Sequence, residues 1–177
     1  YLTGNADITF FKVVYRRHTN FAVEAIEQTF NGTADFGRKV SVTVSRNADL
    51  ITRAYVQVTL PAIDVPAGGF AWVEEVGHFL LSSVQVEIGG QCIDRHYGEW
   101  LSIWNSLTLP VGQDAGYDRM IGNEAQFFGT ANTTGGLIAD GGAGDPVPAR
   151  TLHIPLQFWF NRNAGLALPL IALQYHE

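Results

Sequence analysis

Cysteine is almost absent from this chain of 177 residues: Cys92 is the only one. No disulfide can form within the chain, four-thiolate zinc sites are excluded, and a reducing compartment is the natural setting. Charge is also scarce. Charged residues make up 16% of the chain and leave a net charge of −6. A coat for nucleic acid needs a dense set of Lys and Arg to displace counterions, so that class is disfavoured. No apolar run approaches the roughly 20 residues that span a bilayer. The opening Tyr1-Leu2-Thr3-Gly4-Asn5 has neither an initiator Met nor the basic-then-apolar layout of a signal peptide. With a stop at Tyr175-His176-Glu177, the sequence reads as a piece of a longer chain.

What is plentiful is apolar material, 46% of the residues, with aromatics at 12%. The clearest period in it is two. Val40, Val42 and Val44 alternate with Lys39, Ser41, Thr43 and Ser45; Ala54, Val56, Val58 and Leu60 alternate with Arg53, Tyr55, Gln57 and Thr59. Each predicts a half-buried strand. Val84, Val86 and Ile88 form a third, and Gly89-Gly90 then predicts a tight hairpin returning through Gln91 to His96. Phe21 to Phe30, ending in Asn31-Gly32, is also read as a strand, although its apolar spacing would suit a helix. Leu152 to Phe160 and Leu168 to Tyr175 read as two more, with a turn at Asn161 to Gly165.

One helix is predicted. Trp100, Ile103, Trp104 and Leu107 recur at i, i+3, i+4 and i+7, and Pro110 closes the segment. Two loops interrupt the strands, Pro61 to Gly69 and the longer Pro110 to Arg150. The longer holds nine of the 19 glycines, which marks it as functional or mobile. The pattern predicts an all-β fold: an eight-stranded antiparallel jelly-roll β-sandwich with one short helix and long loops. The Cys…Trp…Cys signature of an immunoglobulin sandwich is missing.

Catalytic chemistry finds little support. His18, His78, His96, His153 and His176 include no pair spaced to face one metal from a strand. Asp94, His96 and Glu99 could converge only if the hairpin end curled towards the helix, and Glu99 is better explained as favourable charge near a helix start. There is no Gly-x-Ser-x-Gly elbow, and Cys92 reads as a packed strand residue. Gly135-Gly136 and Gly141-Gly142 lack the Lys-Ser/Thr of a phosphate loop. The expectation is no enzyme, no cofactor and no metal. Phe127-Phe128 and Trp159 could form a sugar-stacking platform, so a jelly-roll carbohydrate-binding module is the alternative function. Lys12, Arg16, Arg17 and His18 form the densest basic cluster.

Three stretches carry a resemblance. The first is Thr3-Gly4-Asn5 with Ile8-Thr9-Phe10-Phe11-Lys12-Val13-Val14-Tyr15-Arg16-Arg17-His18-Thr19-Asn20-Phe21. The second is Ile88-Gly89-Gly90-Gln91 with Ile93-Asp94-Arg95-His96-Tyr97-Gly98-Glu99-Trp100-Leu101. The third joins Leu156-Gln157-Phe158-Trp159-Phe160-Asn161-Arg162-Asn163 to Leu168-Pro169-Leu170-Ile171-Ala172-Leu173-Gln174-Tyr175-His176-Glu177. Together they resemble the major capsid proteins of nucleocytoplasmic large DNA viruses from end to end. The resemblance implies that residues 1–177 are the first, N-terminal jelly roll of a double jelly-roll chain. It further implies a homotrimeric, pseudo-hexagonal capsomer, neighbouring capsomers and minor capsid proteins as partners, and an icosahedral shell around an internal membrane that the chain does not span. Localisation would be the virion, after assembly in host cytoplasm. Because that membrane would separate shell from genome, no direct nucleic-acid contact is expected. Lys12, Arg16, Arg17 and His18 are then candidates for contact with a neighbouring subunit or a minor capsid protein.

Overall fold

A computed structural model of the protein describes residues 18–63, 72–124 and 149–173. Six strands pair two by two, all antiparallel. β1 (Leu50–Ile51) pairs with β6 (Leu168–Pro169), β2 (Tyr55–Leu60) with β5 (Arg150–Pro155), and β3 (Ser83–Ile88) with β4 (Gln91–Tyr97). The described residues therefore have strands in small sheets, while the expected eight-stranded count is not reached among them.

The predicted hairpin is β3–β4. Gly89 and Gly90 stand at φ 60° and 78°, the two left-handed positions that let a two-residue turn match the twist of its strands. Val86 lies opposite Asp94 and Glu87 opposite Cys92, so Ile93 is an extra residue, a bulge. The alternation of β2 also holds: Val56 and Val58 are half-buried and Leu60 is buried, while Tyr55, Gln57 and Thr59 face out. Its partner β5 comes from far along the chain, and Thr59 and Thr151 hydroxyls meet across the pair at 3.1 Å. The inward side chains of this pair, Leu60 and Leu152, pack with Val76, Val58, Trp72 and Leu80.

Other expectations are corrected. Residues 21–30 and 39–45 join no ladder with other described residues; Asn31 and Ser41 make an isolated bridge, Asn31 N–H to Ser41 O at 2.7 Å. Strand sequence becomes strand only where a ladder and a packing surface exist, and here Phe21, Val42 and Val44 remain exposed. The strand expected over Leu152–Phe160 stops at Pro155, and Trp159–Arg162 turn into a short helix. That helix is stabilised by the Asn161 carboxamide, which accepts from Phe158 N–H at 3.1 Å and donates to Thr52 O at 3.3 Å. The strand expected over Leu168–Tyr175 is limited to β6; Leu170–Leu173 coil into a 3-10 turn, and Tyr175 lies outside the described residues.

The single helix becomes four α-helical segments among the described residues: α1 (Val76–Phe79), α2 (Gly98–Thr108), α3 (Asp114–Ile121) and α4 (Trp159–Arg162). A further 3-10 turn spans Ala164–Leu166. α3 begins inside what reads as a long loop and ends at Gly122, whose φ of 77° gives the left-handed cap. The rest of that loop, 125–148, and most of the shorter one, 64–69, lie outside the described residues. α2 is where it is expected, but it turns a different face inward. Gly98 and Leu101 are buried, Trp100 and Trp104 of the expected stripe are half-buried, and Ile103 and Leu107 are exposed. The cause is Gly98. A Cβ there would meet His78 O and lie 2.8 Å from Leu81 O, so only glycine lets α2 seat against α1.

Candidate functional site

The residues singled out by sequence do not assemble into a catalytic centre. Lys12, Arg16 and Arg17 lie outside the described residues; His18 is described and exposed. Asp94 and His96, two residues apart on β4, share its inward face, with Asp94 Oδ1 3.9 Å from His96 Nδ1. His96 is buried and stacks on Phe158, ring centres 4.2 Å apart. Glu99, in the first turn of α2, points to solvent. Among the described residues no three His, Cys, Asp or Glu side chains come close enough to hold a metal ion. Cys92, expected to be packed, is exposed, its Sγ 3.7 Å from Asp94 O. The bulge explains the difference, because it interrupts the alternation along β4.

The proposed sugar platform also dissolves. Phe127 and Phe128 lie outside the described residues. Trp159 is half-buried and meets Phe160 edge-on at 5.0 Å, while Phe158 and Phe160 are buried together. In a helix turn these neighbours no longer alternate between two faces as strand residues would. On the adjoining helix, Trp104 receives the Arg162 guanidinium 4.6 Å from its ring centre, and Trp100 lies against Trp104.

Sequence reasoning missed one polar cluster. His78 in α1 has a fully buried side chain with both ring nitrogens engaged. Nδ1 lies 3.2 Å from Glu75 Oε2, and Nε2 lies 2.9 Å from the Tyr117 hydroxyl of α3. Burial pulls the His78 pKa below its ordinary value, against the hydrogen bond and charge of Glu75, which raise it. Burial likewise pushes the Tyr117 phenol up, aided by the charges of Glu75 and Asp118. No periodic signal marks His78, and Tyr117 sits in a stretch whose glycines read as loop. Nearby, Glu124 bridges two arginines: Oε1 accepts from Arg119 Nε at 3.3 Å and Oε2 pairs with Arg150. The two ends of the 125–148 excursion are thereby tied together.

The remaining feature is apolar surface. Phe21, Val23, Ile26, Phe30, Phe36, Val42 and Val44 are exposed along 18–49; Phe36 is 78% exposed. Ile103, Leu107 and Val111 line the outer side of α2 and its exit, with Leu107 75% exposed. Ile171 is 70% exposed near the other end of the chain. These side chains are the described apolar surface left over once the polar clusters are accounted for.

A family model described as the major capsid protein N-terminus matches residues 9–177. The major capsid protein of Phaeocystis pouchetii virus is 54% identical over 191 residues, covering 100% of this chain and 37% of the relative. That of Pyramimonas orientalis virus is 54% identical over 177 residues, covering 100% of this chain and 41% of the relative. A quasi-atomic model of the PBCV-1 virus capsid superposes with a TM-score of 0.69 at 41% identity, covering 95% of this chain and 36% of that one. The chain thus spans about two fifths of the length of the relatives it matches.

Proposed function

Because the chain belongs to the family of viral major capsid protein N-termini, we propose that it is the first jelly roll of a double jelly-roll subunit, three of which close into a pseudo-hexagonal capsomer. The role is structural: capsomers tile an icosahedral shell, assembled in host cytoplasm, around an internal membrane that lies near the shell and is not spanned by it. One observation carries this reading beyond family membership. The strand-patterned segments 21–30 and 39–45 have exposed apolar side chains and no ladder among the described residues. Natural sheets seldom leave such edges bare.

The short β1–β6 ladder joins residues just after those segments to the last described part of the chain. Leu50 faces Pro169, Ile51 faces Leu168, and Leu170 N–H bonds to Asp49 O at 2.9 Å. Strands contributed by later sequence would complete the eight-stranded sandwich. The exposed α2 ridge and the outer limbs would meet the second jelly roll or the next subunit in a closed heterologous ring. Lys12, Arg16, Arg17 and His18 are assigned to contact with a neighbouring subunit or a minor capsid protein.

Light scattering on the full-length protein tests the capsomer. A stable trimer is expected, and a persistent monomer at micromolar concentration would sink it. The carbohydrate-binding alternative is disfavoured, because Trp159 packs against Phe160 and the relatives are named as capsid proteins.

A further inference from the structure

The structural role leaves the Glu75–His78–Tyr117 cluster unused. We propose that these three residues form an acid-sensitive latch fastening α3, the root of the 125–148 excursion, to α1. The proposal rests on side-chain geometry and stands apart from the capsomer reading.

The hydrogen-bond pattern assigns the tautomer. A carboxylate can only accept, so Nδ1–H of His78 donates to Glu75 Oε2. Nε2 is then bare and accepts from the Tyr117 hydroxyl at 2.9 Å. In this neutral state every polar atom of the ring is satisfied although its side chain is 0% exposed. Protonation places a hydrogen on Nε2, directly facing the hydrogen of the Tyr117 hydroxyl. Tyr117 must then swing its O–H away, accept from the ring, and find a new acceptor for its own hydrogen in a half-buried position. The joint between α1 and α3 loses its fit at that point.

The surroundings decide which way the balance tips. From its own element the ring faces Glu75, which favours the cation. α3 contributes Tyr117, with Asp118 acting on that phenol and already accepting from the Asn123 side chain at 3.0 Å. α2 presents the backbone at Gly98, with Glu99 turned to solvent. β5 meets α1 through the apolar Ile154, which lies against Gly77. One carboxylate therefore stands against burial by apolar and backbone atoms, and burial is the larger influence. A histidine whose folded-state pKa is depressed contributes fully above its unfolded value of 6.5. The contribution falls away as pH drops from there through the lower folded-state value.

Hydrogen exchange on the full-length protein, corrected for intrinsic rates, tests the latch. Between about pH 7.5 and about pH 5, protection in α3 should fall by about tenfold while the β3–β4 hairpin holds. In His78→Gln, whose amide keeps one donor for Glu75 and one acceptor for Tyr117, α3 protection should be the same at both pH values. A flat response in the unsubstituted protein, or an equal fall in the variant, overturns the proposal. If the variant does not fold, an NMR titration of the His78 ring in the unsubstituted protein decides. A midpoint below the ordinary value that coincides with α3 loosening supports the latch; loosening that does not follow the ring's titration overturns it.

Discussion

At the scale of single residues, two glycines separate constraint from accident. Gly98 is required because its missing Cβ is where the backbone of α1 and of the turn after it passes, at His78 and Leu81. Gly116, inside α3, has nothing within 4 Å of where a Cβ would sit. Gly98→Ala should therefore destabilise the protein by about 1–3 kcal/mol, the usual effect of forcing atoms into a filled space. Gly116→Ala should stabilise it by about 0.5–1 kcal/mol through helix propensity alone. Denaturant unfolding of the two variants checks the pair, and equal shifts in both would refute this account of the α1–α2 contact. The same contact explains why the apolar stripe predicted for α2 is only partly buried, at Trp100 and Trp104 and not at Ile103 and Leu107. Periodicity reports which residues are apolar, while the closest backbone approach selects the face that turns inward.

Among the elements, α3 and the excursion after it are separable. α3 is held by Tyr117 on His78, by Ile121 in the core, and by the Gly122 cap against Val76 and Leu152. Beyond it, Glu124 and Arg150 join the two ends of 125–148, and Arg150 also donates to Arg119 O at 3.2 Å. With its ends fastened, an excursion can lengthen at small entropic cost, since doubling a flexible loop costs only about 0.6 kcal/mol. A short tag inserted after Gly136 should leave the melting temperature and assembly unchanged, as read by calorimetry and light scattering. Complete loss of soluble protein would show that the excursion is packed against the domain. The glycine content of Pro110–Arg150 correctly signals irregular chain on average. It conceals α3 because two glycines, Gly112 and Gly122, delimit a helix and a third, Gly116, sits within it.

For the whole molecule, the apolar limbs of 18–49 and the outer ridge of α2 dominate the outlook. If residues 1–177 are one half of a double jelly roll, as proposed, a lone copy leaves these side chains uncovered. Expressed alone, that length should bind a hydrophobic dye and self-associate at micromolar concentration, whereas the full-length protein should do neither. Equal, low dye binding by both would mean that the limbs are covered from within residues 1–177.

Much of this protein was determined by sequence alone. The Gly89-Gly90 hairpin, the β2 alternation and the position of α2 follow from local chemistry, namely backbone angles available to glycine and side-chain periods of two and 3.6. The capsid family was legible in long strings of residues that the family model matches over 9–177. Only the tertiary structure decided which apolar segments are strands, because a strand exists through its partner. Val56 has Ile154 opposite it in a ladder, while Val42 and Val44, equally suited by sequence, have none among the described residues. It also decided the His78 cluster, in which His78 and Tyr117 lie 39 residues apart on two helices that meet only when folded.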